Sequence, residues 1–252
     1  MNSFIVRLNF HGDLPFFLGS KRRREVIERR LTEKTSVKDV IESCGVPHPE
    51  ADLILVNGQP VDFYHTLRAN VDVDVYPAGF SPTFFTNKRL QITHSIKFLA
   101  DGHLGRLSRS LRLLGLDVAY FNAAEDRQLL ETMQRENRAL LTRDRHLLMH
   151  AVVQNGYYPR SQYATEQTIE VIRRFDLLRL IAPFTRCLRC NARLEKVGKA
   201  EVMEKLKPLT KIYYEEFRRC SGCGQIYWPG SHFSKLQKRI GELHAQFSKS
   251  AA

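Results

Sequence analysis

The sequence is short of acids, of cysteine and of long apolar runs. Its 27 Asp and Glu face 39 Lys and Arg, a formal net charge of +12. No apolar run approaches the roughly 20 residues that cross a bilayer. The opening MNSFIVRLNFHG also lacks the basic, apolar and small-residue regions of a signal peptide. These absences predict a cytoplasmic protein with no membrane partner. There are five cysteines. Cys44 has no His beside it and reads as a small buried hydrophobe.

The shortage of acids is uneven. Residues 1–80 hold 10 Lys and Arg against 11 Asp and Glu, residues 81–182 hold 15 against 10, and residues 183–252 hold 14 against 6. The excess therefore lies in the C-terminal two-thirds and points to an anionic partner, nucleic acid being the commonest, with a basic chain lacking such a ligand as the alternative. At 252 residues and 43% hydrophobic content the chain can build one large domain or two to three small ones.

Residues 1–80 read as a separate small domain. Phe4 to Phe10 alternates as a strand, and Glu25 to Leu31 returns as a second after the basic run Lys21 to Arg24. That run is either a solvated loop or a phosphate contact. Ser36 opens a short helix with Val37, Val40 and Ile41 on its apolar face, stopped by Cys44-Gly45 and Pro47. Asp52 to Val56, an Asn57-Gly58 turn and Val71 to Tyr76 complete a ββαββ order, which suggests a ubiquitin-like β-grasp. With no clustered acids and no excess positive charge, residues 1–80 are expected to be dispensable for catalysis. Residues 81–94, Pro-containing and aperiodic, are expected to form a linker.

From residue 95 to 182 strands and helices alternate, which implies a parallel sheet with right-handed crossovers. Ile96, Phe98, Leu99 and Ala100 form an apolar run suited to a strand buried on both faces. Leu104, Leu107, Leu111 and Leu114 then recur at helical spacing up to an αL stop at Gly115, with Arg106, Arg109 and Arg112 on another face. Asp117 to Phe121, Ala139 to Thr142 and Tyr157-Tyr158 read as further strands. Helices are expected at Glu125 to Asn137, at Arg145 to Gln154, and from a Thr165 cap to about Leu180.

The crossover rule gathers the acids that follow these strands. Asp101 follows the first, Glu125 and Asp126 the second, and Asp144 the third, so all reach the carboxyl edge of the sheet, where open α/β sheets place ligands. Carboxylates gathered there repel unless a cation intervenes, and hard oxygen ligands suit Mg²⁺ or Mn²⁺. The competing reading is helix capping, since Asp101, Glu125 and Asp144 each precede a helix. Arg143 is either a phosphate ligand or a salt-bridge partner of Asp144.

Residues 183–252 carry the most specific motif. Cys187-Leu188-Arg189-Cys190-Asn191 and Cys220-Ser221-Gly222-Cys223-Gly224 are two CxxC knuckles, each followed by a residue that tolerates αL, and together they offer four thiolates for zinc. A redox CxxC would leave the doubled knuckle a coincidence. Lys211 to Arg219 has room to return as a strand, and His232 is a spare ligand. Tyr227, Trp228 and Phe233 either stack on bases or pack on the ribbon.

These residues carry a resemblance. Ala100-Asp101, Leu104-Gly105, Leu107, Leu111-Arg112, Leu114-Gly115 and Asp117, then Leu140-Leu141-Thr142-Arg143-Asp144-Arg145 with Leu147-Leu148, resemble the Mut-seven C-terminal ribonuclease domain, a PIN-like family. That family's domain ends in a zinc ribbon similar to CLRCN and YYEEFRRCSGCGQIYWPGSHF here, and members often carry an N-terminal ubiquitin-like domain. The resemblance implies a PIN-like α/β fold and metal-dependent RNA cleavage, with Asp101, Asp126 or Glu125, and Asp144 at the positions of the family's acids. PIN domains often offer a further acid after the fourth strand, where this chain has Ser161-Gln162-Tyr163-Ala164, with Glu166 further into the helix. The expectation is a ribonuclease holding Mg or Mn at Asp101, Asp126 and Asp144, with Glu125 nearby and Arg106, Arg109, Arg112 and Arg143 on RNA. Cys187, Cys190, Cys220 and Cys223 would hold zinc, and the ubiquitin-like domain is left for a protein partner. The alternative is a non-catalytic RNA-binding adaptor. Haloacid-type phosphatase chemistry fits poorly, because Asp101-Gly102-His103 lacks the second Asp.

Overall fold

A computed structural model describes residues 3–19, 25–79, 85, 87–91, 95, 97–230, 238 and 241–242. The basic run at 21–24, Ile96, most of 80–86, His232 and Phe233 lie outside the described residues.

The N-terminal region is the expected β-grasp. Its elements are β1 (Phe4–Phe10), β2 (Ile27–Leu31), β3 (Thr35–Ser36), α1 (Val37–Ser43), β4 (Ala51–Val56), β5 (Gln59–Val61), β6 (Thr66–Leu67) and β7 (Val71–Pro77). The main sheet runs β2-β1-β7-β4-β5, with β1 and β7 parallel, and β3 pairs with β6. Alternation in β1 buries Val6, Leu8 and Phe10 with Val37, Val40 and Ile41 of α1. Ser36 caps α1 by accepting the Asp39 amide at 3.1 Å. Asn57 and Gly58 both take positive φ, 49° and 78°, as a tight hairpin between β4 and β5 requires.

The second region alternates as expected: β8 (Lys97–Ala100), α2 (Gly105–Leu113), β9 (Asp117–Tyr120), α3 (Asp126–Glu136), β10 (Ala139–Leu141), α4 (Arg145–Leu148), β11 (Gly156–Tyr157) and α5 (Ala164–Arg174). The sheet order is β11-β10-β8-β9, all parallel. Two helices are shorter than periodicity suggests. α4 stops at Leu148 rather than Gln154. α5 begins after Tyr163, not at a Thr165 cap, and stops at Arg174, where Phe175, Leu177 and a turn at Leu178–Leu180 fold back on the sheet. The apolar residues beyond each helix read as helical from spacing alone because they too are buried.

The sheet is covered on both faces, but not by helices alone. Phe98 and Ala100 face α2 and α5 through Leu107, Leu111 and Val171, with Phe175 just past α5 in the same cluster. Leu99 and Leu140 face the other way, into a cluster that holds Leu129 and Met133 of α3 and also Val6, Leu14, Phe17 and Ile41 of the β-grasp. The first region is thus a packing layer of the second. Polar contacts reinforce the junction: His48 Nε2 lies 2.7 Å from the Val153 carbonyl, and Arg145 donates to the Phe17 carbonyl at 2.9 Å. The described part of the 81–94 segment is docked as well, with the Leu90 and Gln91 amides bonded to Asp52 at 2.8 and 3.0 Å.

The third region is a three-stranded antiparallel sheet of β12 (Leu194–Val197), β13 (Phe217–Cys220) and β14 (Ile226–Tyr227), with α6 (Lys199–Val202) and α7 (Pro208–Tyr213) between β12 and β13. The expected strand at Lys211 to Arg219 begins as helix, through Tyr213. Pro208 starts α7 as first-turn prolines do, and only Phe217–Cys220 pairs.

Candidate active site and thiolate centre

Parallel strands of similar length deliver their following residues to one edge, and here the Asp101, Asp126 and Asp144 side chains line a single cleft of about 690 Å³. Each is fixed by backbone geometry. Asp101 is buried, 5% exposed, and its Oδ1 accepts the His103 amide at 2.8 Å. Its Oδ2 accepts the Thr142 hydroxyl and the Arg143 amide. The Thr142 oxygen in turn accepts the Asp144 amide at 2.9 Å, so one buried threonine ties the first acid to the third. Asp144 caps α4 through Oδ1, which accepts the His146 and Leu147 amides at 2.8 and 3.2 Å. Capping and cleft placement thus coexist, because the cap uses only one of the two Asp144 oxygens. Asp126, in the first turn of α3, is exposed and has no hydrogen-bond or ion-pair partner among the described residues.

Gly102 lets the two loops close. A Cβ there would come within 2.8 Å of the Asn122 carbonyl, so the turn after β8 and the turn after β9 meet only at glycine.

The other expected residues divide. Arg143 lines the cleft with no carboxylate partner among the described residues, and its guanidinium lies 5.8 Å from the Tyr158 ring centre. Arg106 and Arg109 are exposed along an adjoining hollow. Arg112 is not on that surface. It is buried, donating to the Val118, Leu188 and Arg189 carbonyls at 2.9, 3.1 and 3.0 Å, which makes it a clamp between α2 and the first cysteine knuckle. Glu125 is the residue before α3, exposed and outside the cleft, so Asp126 is the acid on this loop that faces it. Glu166 accepts the Ser161 hydroxyl and also lies outside the cleft. Sequence reasoning missed His103, His146 and Asn122, which line the cleft. The signal for the histidines is a doubled Asp-x-His, at Asp101 to His103 and Asp144 to His146, in which each Asp accepts the histidine's own amide.

The four expected thiols do come together. Cys187, Cys190, Cys220 and Cys223 place their Sγ atoms within 4.8 Å of one another, with 3.6 Å from Cys187 to Cys223 and 3.3 Å from Cys190 to Cys220. A tetrahedral ion with Zn–S bonds of about 2.3 Å needs sulfur–sulfur separations of roughly 3.8 Å, so the donor set fits zinc. Asn191 and Gly224 both sit in αL, φ 68° and 71°, as the knuckle reading requires. Burial raises the Cys187 thiol, but the Tyr227 hydroxyl at 3.1 Å and the Cys190 and Arg189 amides outweigh it and hold the pKa at about 6. Among the described residues these thiols are the one group of His, Cys, Asp and Glu ligand atoms gathered this closely. The three carboxylates of the cleft do not form such a group among the described residues.

The ribbon is fastened to the parallel sheet at the edge opposite the acids. Asp117, first residue of β9, accepts Arg138 at 2.7 Å, Arg186 at 2.9 Å and Asn191 Nδ2 at 2.8 Å, and Asn191 Oδ1 accepts the Val118 amide at 3.1 Å.

A family model described as Mut7-C RNAse domain matches residues 96–240, and one described as Mut7-C ubiquitin matches residues 3–81. No curated protein and no solved structure matches the chain. Among the described residues no helix is long and apolar enough to cross a membrane.

Proposed function

The chain belongs to the Mut7-C RNAse domain family, and from that premise we propose that it hydrolyses RNA phosphodiester bonds in the cleft at the carboxyl ends of β8, β9 and β10. The observation that carries this reading is the convergence of Asp101, Asp126 and Asp144 on one cleft that also holds Arg143, which has no carboxylate partner among the described residues. Asp126 and the second oxygen of Asp144 keep acceptor capacity for a hard divalent ion such as Mg²⁺ or Mn²⁺, with Asp101 behind them as an oriented carboxylate. Such an ion, when bound, supplies an activated water and neutralises charge growing on the phosphate.

The chain's own residues position the rest. Thr142 fixes Asp101 against Asp144, so the two acids keep their separation as substrate enters. The Arg143 guanidinium offers a charged contact to a phosphate entering the cleft. His103 and His146 stand on the cleft wall, within reach of a leaving oxygen that needs a proton. Cys187, Cys190, Cys220 and Cys223 would hold a structural zinc ion, which would fix the ribbon and take no part in the cleavage.

One observation favours a second reading, an RNA-binding adaptor: no fourth acid lines the cleft among the described residues, and Glu166 lies outside it, accepting the Ser161 hydroxyl. Incubating the purified chain with labelled single-stranded and structured RNA, with Mn²⁺ or with a chelator, separates the two. Metal-dependent cleavage that vanishes in Asp144→Asn supports the nuclease. Binding without cleavage under every condition supports the adaptor.

A further inference from the structure

The acid cleft continues past Arg143. A second hollow of about 1190 Å³ opens beside it, and Gly102, His103, Asn122 and Arg143 line both. α2 carries Arg106 and Arg109 along this hollow, each exposed and with no ion pair among the described residues. The far end is walled by the ribbon, through Tyr227 of β14 and Trp228, the residue after it.

The two aromatic rings differ in their freedom. The Tyr227 hydroxyl is committed to the Cys187 sulfur and the Leu188 amide, both at 3.1 Å. Trp228 is half-buried and leans on Tyr214, with ring centres 6.4 Å apart at 47°. It therefore borders the hollow without serving the zinc centre.

Three features thus border the joined hollows: carboxylates in the first, arginines with no ion pair among the described residues, and an indole in the second. The turn and helix from Gly102 to Leu113 span about 17 Å at 1.5 Å per residue, a length that a few nucleotides fill. Arg143 lines both hollows and has no ion pair among the described residues, so its guanidinium stands at their junction.

We propose that the two hollows form one track for single-stranded RNA, in which phosphates lie on Arg143, Arg106 and Arg109 and a base stacks on Trp228, making the ribbon part of the substrate site. The track rests on the nuclease reading of the acid cleft and adds to it a recognition point away from the scissile bond. A duplex does not satisfy it, because a base must leave its pair to reach a ring recessed in a hollow, whereas a single strand offers its π-faces at no such cost.

Trp228 is the chain's one tryptophan, so its fluorescence reports its own surroundings. The test uses full-length Asp144→Asn protein with its zinc content verified, titrated with an end-labelled oligouridylate of about 12 nucleotides, a length within the range that single-strand sites cover, following anisotropy and tryptophan emission together. The emission is expected to fall along the same isotherm as the anisotropy. Trp228→Ala should weaken binding about tenfold while retaining zinc, and Trp228→Phe should recover most of the loss. The exposed pair Arg106→Glu and Arg109→Glu should weaken binding and flatten its salt dependence. Binding that leaves the emission unchanged, and is equally tight in a zinc-replete Trp228→Ala protein, overturns the track. Cleavage by the wild type is measured in parallel: cleavage with a silent tryptophan overturns the track alone, and quenching without cleavage supports the track and overturns the nuclease reading.

Discussion

Glu50 of the β-grasp and Arg160, three residues past β11, form an ion pair 2.6 Å long in which the Glu50 side chain is 2% exposed and the Arg160 side chain 14%. Glu50 also accepts the Tyr158 amide at 2.6 Å, so a single carboxylate satisfies both the backbone and the side chain of the neighbouring region. Burial opposes charge on Arg160, but Glu50 and then Asp13 more than offset it and keep the guanidinium protonated.

Breaking this pair should loosen the whole molecule. Glu50→Ala leaves the half-exposed Asp13 as the remaining carboxylate on Arg160 among the described residues and is expected to cost roughly 3 kcal/mol, the scale for removing one partner of a buried pair. Urea unfolding followed by circular dichroism measures it; a midpoint unchanged from wild type would mean the junction is not a stabilising interface.

Removal of residues 1–79 should be more severe. It uncovers the face of the parallel sheet that carries Leu99 and Leu140, and it orphans Arg145 and Arg160. The expected product is aggregated or inactive protein. A soluble, monomeric remnant with wild-type cleavage would restore the β-grasp to the standing of an independent module.

Thr142→Val should separate orientation from binding. The substitution keeps shape in a fully buried position but removes the hydroxyl that joins Asp101 to the Asp144 amide, at about 1–3 kcal/mol of stability. Cleavage should fall at least tenfold with RNA affinity nearly unchanged, read as kcat against Kd. Equal losses in both would indicate general unfolding.

Asp144→Asn should abolish cleavage and spare the fold. Asn also caps helices, so the α4 terminus keeps its acceptor, while the negative charge available to a cation is gone. Cleavage falling by orders of magnitude at an unchanged Tm is expected. An equally active variant would remove Asp144 from the site.

Acid should undo the docking of the ribbon on the sheet. Burial raises the Asp117 carboxyl, yet Arg138 and Asn191 outweigh it and the net shift is downward. A depressed carboxylate contributes fully above its unfolded value near 3.9 and loses that contribution as pH falls below it, through the folded value. Asp117→Asn should flatten stability against pH in this window, as thermal melts between about pH 5 and pH 2 would show. A variant with the wild-type slope would place the acid sensitivity elsewhere.

Zinc removal should unfold the ribbon and leave the parallel sheet standing. The apolar cluster around Cys187, Leu194 and Cys220 is small, and without the ion the four gathered thiols lose what holds them together. Chelation should abolish protection of amides from Cys187 to Tyr227 in hydrogen exchange while β8 and β10 stay protected. Protein isolated without zinc and still protected there would refute the assignment.

Much of this was legible along the chain. Alternation in β1, the Ser36 cap, the Asn57-Gly58 turn and the leucine spacing of α2 are local patterns, and local geometry enforces them. The crossover rule then brings Asp101, Asp126 and Asp144 to one edge without knowledge of a single contact. The two knuckles declare themselves by spacing and by Asn191 and Gly224 in αL. These features depend on backbone periodicity and handedness, which a sequence carries in full.

What tertiary structure decided depends on which apolar face meets which. Amphipathic spacing does not distinguish a sheet covered by helices from one covered by a second sheet, so the burial of the β-grasp against Leu99 and Leu140 was invisible. Arg106, Arg109 and Arg112 differ little as residues at helical spacing. Yet Arg112 alone meets the Leu188 and Arg189 carbonyls, because the first knuckle folds back over that turn of α2. Glu125 and Asp126 are adjacent acids, and only the start of α3 selects which faces the cleft. Side-chain chemistry is written in the sequence; which side chain is buried, paired or left facing a ligand is set by packing between elements distant along the chain.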